Sequence, residues 1–193
     1  MVTPLPELWT PPDARGTGVA AIDPYTHITR GVAVHGDTPF ACPLLTQLDD
    51  RLAIGGCLHG APLPEHVRHV VSLYPWETYR AHSYVASALS VVMYDAVVHV
   101  GAARVIALAR WVNACRADAS TLVHCQTGLN RSGLVVAVAL VLDGYEPAAA
   151  IDYLRAARCS AVLCNRSFES FVLEHAAAAR GEDAQATRER VAS

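Results

Sequence analysis

The chain has 193 residues, enough for one domain with a full hydrophobic core and little left for a second. Hydrophobic residues make up 52% and charged residues only 17%, a globular composition and not a disordered one. The net charge of −3 provides no global basic field, and no basic stripe runs along the sequence, which argues against a long nucleic acid as partner but admits a short anionic substrate at one local site.

Residues 1–24, rich in Pro, Gly and Asp, read as an irregular segment that wraps the surface. Met1 to Pro12 has neither a basic start nor an apolar centre, so it is not a signal peptide. His27 to His35 alternates loosely, as an edge strand or hairpin arm would. Arg51 to Ile54, closed by Gly55-Gly56, reads as a strand, as do Val67 to Leu73 before Pro75, and Leu89 to Met93. Ala102 to Cys115 carries Val105, Leu108, Ala109 and Val112 at helical spacing. Thr121 to His124 is a fourth core strand. Pro147 to Arg158 reads as a helix with Pro at its first position, and Phe168 to Arg180 as another, stopped by Gly181. Residues 25–180 then form the domain and 181–193 a polar, frayed tail. Strands alternating with helices give an α/β fold. The longest apolar run, Leu134 to Leu142, falls far short of a membrane span, and a soluble cytoplasmic protein without a membrane partner is expected. Cysteines at 42, 57, 115, 125, 159 and 164 show no CxxC spacing, so neither zinc nor a disulfide framework is indicated.

The run His124-Cys125-Gln126-Thr127-Gly128-Leu129-Asn130-Arg131-Ser132 follows the buried strand directly. A strand, a Gly-containing loop and a helix start make an anion site, because loop N–H groups converge and the helix dipole adds positive potential. The valines of Leu134 to Leu142 favour a strand, but a strand would remove that potential, so the segment is expected to be a buried helix ending near Gly144. A thiol in such a nest ionises more readily than a free one. Arg131 adds a planar fork for two phosphate oxygens. Together they suit attack of Cys125 on phosphorus and a cysteinyl-phosphate intermediate, with no metal or cofactor required.

His124-Cys125 through Arg131-Ser132 resembles the HCxxGxxRS signature of the protein tyrosine phosphatase superfamily, and the chain's size is like that of its small dual-specificity branch. The likeness runs from about Arg51 to Phe171 and includes Asn165-Arg166-Ser167-Phe168, similar to an Asn-x-x-Phe stretch before that family's last helix. The resemblance implies one domain with a central mixed, largely parallel sheet flanked by helices. It makes Cys125 the nucleophile, Arg131 the clamp and Gln126, Thr127, Gly128, Leu129, Asn130 and Arg131 the phosphate cradle. Ser132 would hydrogen-bond the departing thiolate, and His124 would orient the loop; a satisfied core histidine is compatible with that.

The family's general acid lies about thirty residues upstream, which points to Asp95; a loop or cap aspartate is the plain alternative. Glu77 lies too early in the chain and Asp118 too close to the cysteine strand. Asn165 either fixes the phosphate loop or caps a helix. His99 and Arg166 read as surface residues. Cys57, Cys159 and Cys164 read as buried apolar side chains, any of which could capture an oxidised Cys125.

The expected substrates are phosphorylated proteins, on phosphotyrosine and also phosphoserine or phosphothreonine. Asn130, just before Arg131, is similar to the RNA 5′-triphosphatase branch, so an RNA 5′ end, a nucleotide or another small phosphorylated metabolite is the alternative. A silent phosphate-binding module is the remote one, because both Cys125 and Arg131 are present.

Overall fold

The computed structural model describes residues 26–29, 32–35, 38–95 and 101–192. The expected irregular segment 1–24 and His99 lie outside them. Three short strands come first: β1 (Thr26–Thr29), β2 (Val32–His35) and β3 (Thr38–Ala41) pair antiparallel in that order. The expected single arm over 27–35 is therefore a hairpin extended by a third strand that begins at Thr38 beside Pro39.

The main sheet has five strands, β4 (Leu45–Gln47), β5 (Leu52–Gly55), β6 (His69–Ser72), β7 (Ser87–Ser90) and β8 (Thr121–His124), in the spatial order β4-β5-β8-β6-β7. β4 is antiparallel to β5 and every other pairing is parallel, so the sheet is mixed and largely parallel. Each residue of β5 and of β8 is buried, as continuous apolar strands in a covered parallel sheet must be. The third expected core strand is shifted: β7 is Ser87–Ser90, not Leu89 to Met93. It lies on the sheet edge, and Met93 has already turned into the core.

Four helices follow: α1 (Ala102–Asp118), α2 (Arg131–Leu142), α3 (Pro147–Ala157) and α4 (Arg166–Ala192). α2 is apolar all round, and residues 131–141 are all buried, as a helix enclosed by other elements requires. It packs on α1, α3, α4 and the inner strands. Its β-branched residues cost some helix propensity, which enclosure outweighs. Pro147 starts α3, as expected.

α4 does not stop at Gly181, and the expected frayed tail is helical as far as Ala192, polar and mostly exposed as far as Arg190. A glycine inside a helix costs about 1 kcal/mol relative to alanine, and Gly181 sits between Arg180 and Glu182 within α4. Asp183, two residues later, is held by Arg110 of α1 through Nε at 3.0 Å and Nη2 at 2.5 Å.

Candidate active site

Cys125 lies at the carboxyl end of central β8, where α/β sheets place their ligands. The loop after it turns its carbonyls outward. Gln126 O accepts from Cys57 N (3.0 Å), and Leu129 O from Leu163 N (3.2 Å). Asn130 O takes the first bond of α2 from Leu134 N (2.7 Å). Arg158, buried at the end of α3, donates to Thr127 O at 2.9 Å and Gly128 O at 2.8 Å, and anchors itself on Thr46 Oγ1 at 2.9 Å. With the carbonyls committed outside, the peptide planes present their N–H groups inward. Gly128 makes the turn possible: its φ is +75°, and a Cβ there would come within 2.3 Å of the Gly55 backbone.

The N–H of Gly128 points at Cys125 Sγ (3.2 Å), and Ser132 Oγ is 3.3 Å from the same sulfur. Arg131, only 2% exposed, lies with its guanidinium 4.8 Å above the Tyr74 ring centre and reaches Gln126 Oε1 at 3.5 Å. His124 is enclosed, with Nδ1 3.4 Å from Cys125 O and its ring edge-on to Tyr79. Burial pulls its pKa down to about 4, so it is neutral at physiological pH and fit to orient the loop.

Asp95 is drawn onto this loop. Its Oδ2 accepts from Asn130 Nδ2 at 2.9 Å and its Oδ1 from Asn165 Nδ2 at 2.8 Å. Asn130 does not cap α2 with its side chain. Its Oδ1 instead accepts from the backbone N of Asn165 (3.0 Å) and the Cys164 thiol (3.4 Å). The Asn165 side chain thus bonds Asp95 and not the phosphate loop, which Asn165 meets only through its backbone N–H, and its Oδ1 accepts from Ser167 N (3.1 Å) at the start of α4.

The model of the tyrosine phosphatase family matches residues 62–191, more than half of the chain. The chain belongs to the tyrosine phosphatase family. Solved phosphatases share its fold: a single-substitution form of human DUSP28 (24% identity, 75% of this chain and 99% of that one, TM-score 0.60), and P. aeruginosa TpbA in complex with pTyr (21%, 73% and 90%, 0.53). Tk-PTP in its active form is a third (23%, 70% and 97%, 0.55). At these identities the likeness is one of fold. No curated protein matches the chain.

The phosphatase fold thus sets Ser132 and Gly128 N–H against Cys125 Sγ, and Asp95 and Asn165 against Asn130 of the same loop. Arg166 and Asp118 lie apart from it. Arg166 is exposed at the start of α4, and Asp118 lies 3.0 Å from His69 Nε2. Cys57 stays beside the loop, its N–H on Gln126 O and its thiol, pushed up chiefly by burial, within electrostatic reach of Cys125, while Cys42 is the chief cause that holds the Cys159 thiol below its ordinary value. Among the described residues there is no disulfide, no group of metal-ligating side chains, and no helix long and apolar enough to cross a membrane.

Two functional candidates escaped sequence reasoning. Arg158 read only as the end of an amphipathic helix; nothing local marks it as the support of a loop 30 residues earlier. Chain position alone argues against Glu77. It is half-buried within electrostatic reach of Arg131, and burial pushes its carboxyl up to about 7 against the pull of that cation.

Proposed function

We infer that this phosphatase hydrolyses phosphate monoesters on proteins through a cysteinyl-phosphate intermediate, acting on phosphotyrosine and also on phosphoserine or phosphothreonine. The observation that carries the reading is the placement of Cys125 Sγ against Gly128 N–H and Ser132 Oγ, beside buried Arg131. The thiolate attacks phosphorus; the S–P bond forms as the P–O ester bond breaks, and the electron pair leaves on the ester oxygen. Protonated Asp95 supplies the proton that oxygen takes up. The loop N–H groups and Arg131 hold the equatorial oxygens as charge builds on them. Water then attacks phosphorus, Asp95 receives its proton, and the S–P bond breaks with Ser132 donating to the departing sulfur.

Asn130, the residue that resembles RNA 5′-triphosphatases, has its amide engaged with Asp95, Cys164 and Asn165. That supports a role inside the site and not in reading RNA, and so favours the protein substrate. TpbA, solved with pTyr, supports it by analogy of fold.

Cys125→Ser tests the mechanism: turnover of p-nitrophenyl phosphate should vanish while tungstate still raises the melting temperature. Appreciable residual turnover would refute covalent catalysis by Cys125. Wild-type rates on phosphotyrosine peptide, phosphoserine peptide and triphosphorylated RNA then rank the substrates, and a preference for the RNA would overturn the protein assignment.

A further inference from the structure

Arg158 bridges the end of α3 to the chain that leads into β4, and a pair of thiols lies beside that bridge. Its Nη1 donates to Thr46 Oγ1 at 2.9 Å and its Nη2 reaches Leu44 O at 3.5 Å. These bonds bring residue 159 against the chain just before Leu44. Cys42 and Cys159 pack together there with their thiols hydrogen-bonded. Cys42 is 3% exposed and belongs to the main core, whereas Cys159 is only half-buried, so a small solute arriving from water meets Cys159 first. The bond also gives the two thiols different characters. Cys42 donates, which holds the Cys159 thiol well below its ordinary value, and Ala161 N–H and the Arg158 guanidinium act in the same direction. The same bond, and then burial, push Cys42 up. Other thiols have other neighbours: Cys164 donates to Asn130 Oδ1 at 3.4 Å, and Cys115 lies 4.0 Å from Ser87 Oγ. A partly exposed thiol that ionises readily is the kind that peroxide oxidises, and a second thiol in contact with it can resolve the product.

We propose that Cys42 and Cys159 are a redox-active dithiol that hydroperoxides close to a disulfide, behind the phosphate loop and without any part played by Cys125. The Cys159 thiolate attacks one peroxide oxygen; the O–O bond breaks, hydroxide leaves, and Cys159 becomes a sulfenic acid. Cys42 gives its proton to that hydroxide, forming the first water. Its sulfur then attacks the Cys159 sulfur, the S–S bond forms and the S–O bond breaks. The second hydroxide takes up the proton that Cys159 lost on ionising and leaves as water. Each sulfur has lost one electron and each peroxide oxygen has gained one. The new bond joins the same two segments that Arg158 joins, so it braces the anchor of the Thr127 and Gly128 carbonyls. It also closes a long loop of chain, which restricts the unfolded state most. In the sequence Cys159 was one of three thiols that could capture an oxidised Cys125; the fold gives it a partner of its own.

The test is a peptide map of the full chain after brief exposure to hydrogen peroxide, digested without reductant, with melting curves of the same samples. Wild type should yield a linked Cys42–Cys159 peptide pair that has lost two hydrogens and separates on adding dithiothreitol. Its melting temperature should rise by about 5 °C or more. Cys42→Ala should lose both the link and the rise. Cys125→Ser should keep both, since the Cys125 thiol takes no part, and this separates the proposal from the phosphatase reading. The map is decided on wild type, so it stands even if a variant folds poorly. Cys42 lies within electrostatic reach of Cys125, which makes a link between those two the competing outcome. Cys42 or Cys159 joined to Cys125, Cys159 carried on to sulfinic acid with no link, or a linked protein that melts no higher overturns the dithiol.

Discussion

The guanidinium of Arg158 donates to the carbonyl oxygen of Gly128 at 2.8 Å, so a helix end 30 residues away shapes the loop around Cys125. The same fork reaches Thr127 O and Thr46 Oγ1. Removing it would leave buried carbonyls without donors, each at a cost of about 1–3 kcal/mol.

Arg158→Ala should therefore lower stability by about 3 kcal/mol and weaken tungstate binding although no part of the side chain meets the anion. Arg158→Lys should restore little, since a point charge cannot serve two carbonyls and a hydroxyl at once. Urea unfolding with and without tungstate measures both. Full anion affinity in a destabilised variant would mean that Arg158 only braces the fold.

Asp95→Asn should slow hydrolysis of alkyl and phenolic phosphates by roughly 10²- to 10⁴-fold, less for p-nitrophenyl phosphate and least for a 5′-triphosphate. The order follows from how much each leaving oxygen needs a proton. Asn130→Ala and Asn165→Ala each release one carboxylate oxygen of Asp95 and should cost about tenfold in kcat in the same order of substrates. Neither should cost more once Asp95→Asn is present, because the residue they position has already lost its function. Additive losses in the double variants, or a small uniform loss for Asp95→Asn, would assign the acid elsewhere.

Glu77 gives a pH dependence of definite sign. Its carboxyl is pushed up to about 7 by burial, so it is neutral below that pH and anionic above. A phosphate dianion at Arg131 meets repulsion only from the anionic form. KM should thus rise as pH passes through 7, and Glu77→Gln should flatten the rise. The same shift bears on folding. An acid raised above its ordinary value weakens the folded state as pH climbs from about 4.5 to 7, and the weakening persists above that. Stability of Glu77→Gln should lack this decline. A KM profile unchanged by the substitution would place the titrating group elsewhere.

Much of the site was legible in the sequence because the chemistry is local. His124 to Ser132 holds the proposed nucleophile, clamp and cradle in one run, and the need for a helix dipole behind Cys125 decides the state of Leu134 to Leu142 against its valines, as the helix Arg131–Leu142 bears out. The spacing that the family resemblance implies leads to Asp95 as the proposed acid, which bonds Asn130 and Asn165. Arg158 and Glu77 were not legible, since their importance comes from contacts across the fold that no spacing encodes. Asn130 is visible as a cradle residue similar to the RNA 5′-triphosphatase branch, but its partners are not, and its amide serves Asp95 and Asn165. Gly181 misled for the opposite reason: a strong local stop signal yields when a long-range pair such as Arg110 and Asp183 holds the next turn in place.

The strand order carries a consequence for how the molecule comes to life during synthesis. β8 lies between β5 and β6, yet it leaves the ribosome after both of them and after β7 and α1. The two halves of the parallel sheet therefore cannot join until the strand bearing the nucleophile slots between them, a late event of high sequence separation. Asn165, which fastens Asp95 to the loop, emerges later still. A nascent chain paused before residue 121 holds Asp95 and the strands that will flank β8, but neither Cys125 nor Arg131. Activity should switch on over a narrow span of chain length and not build up gradually.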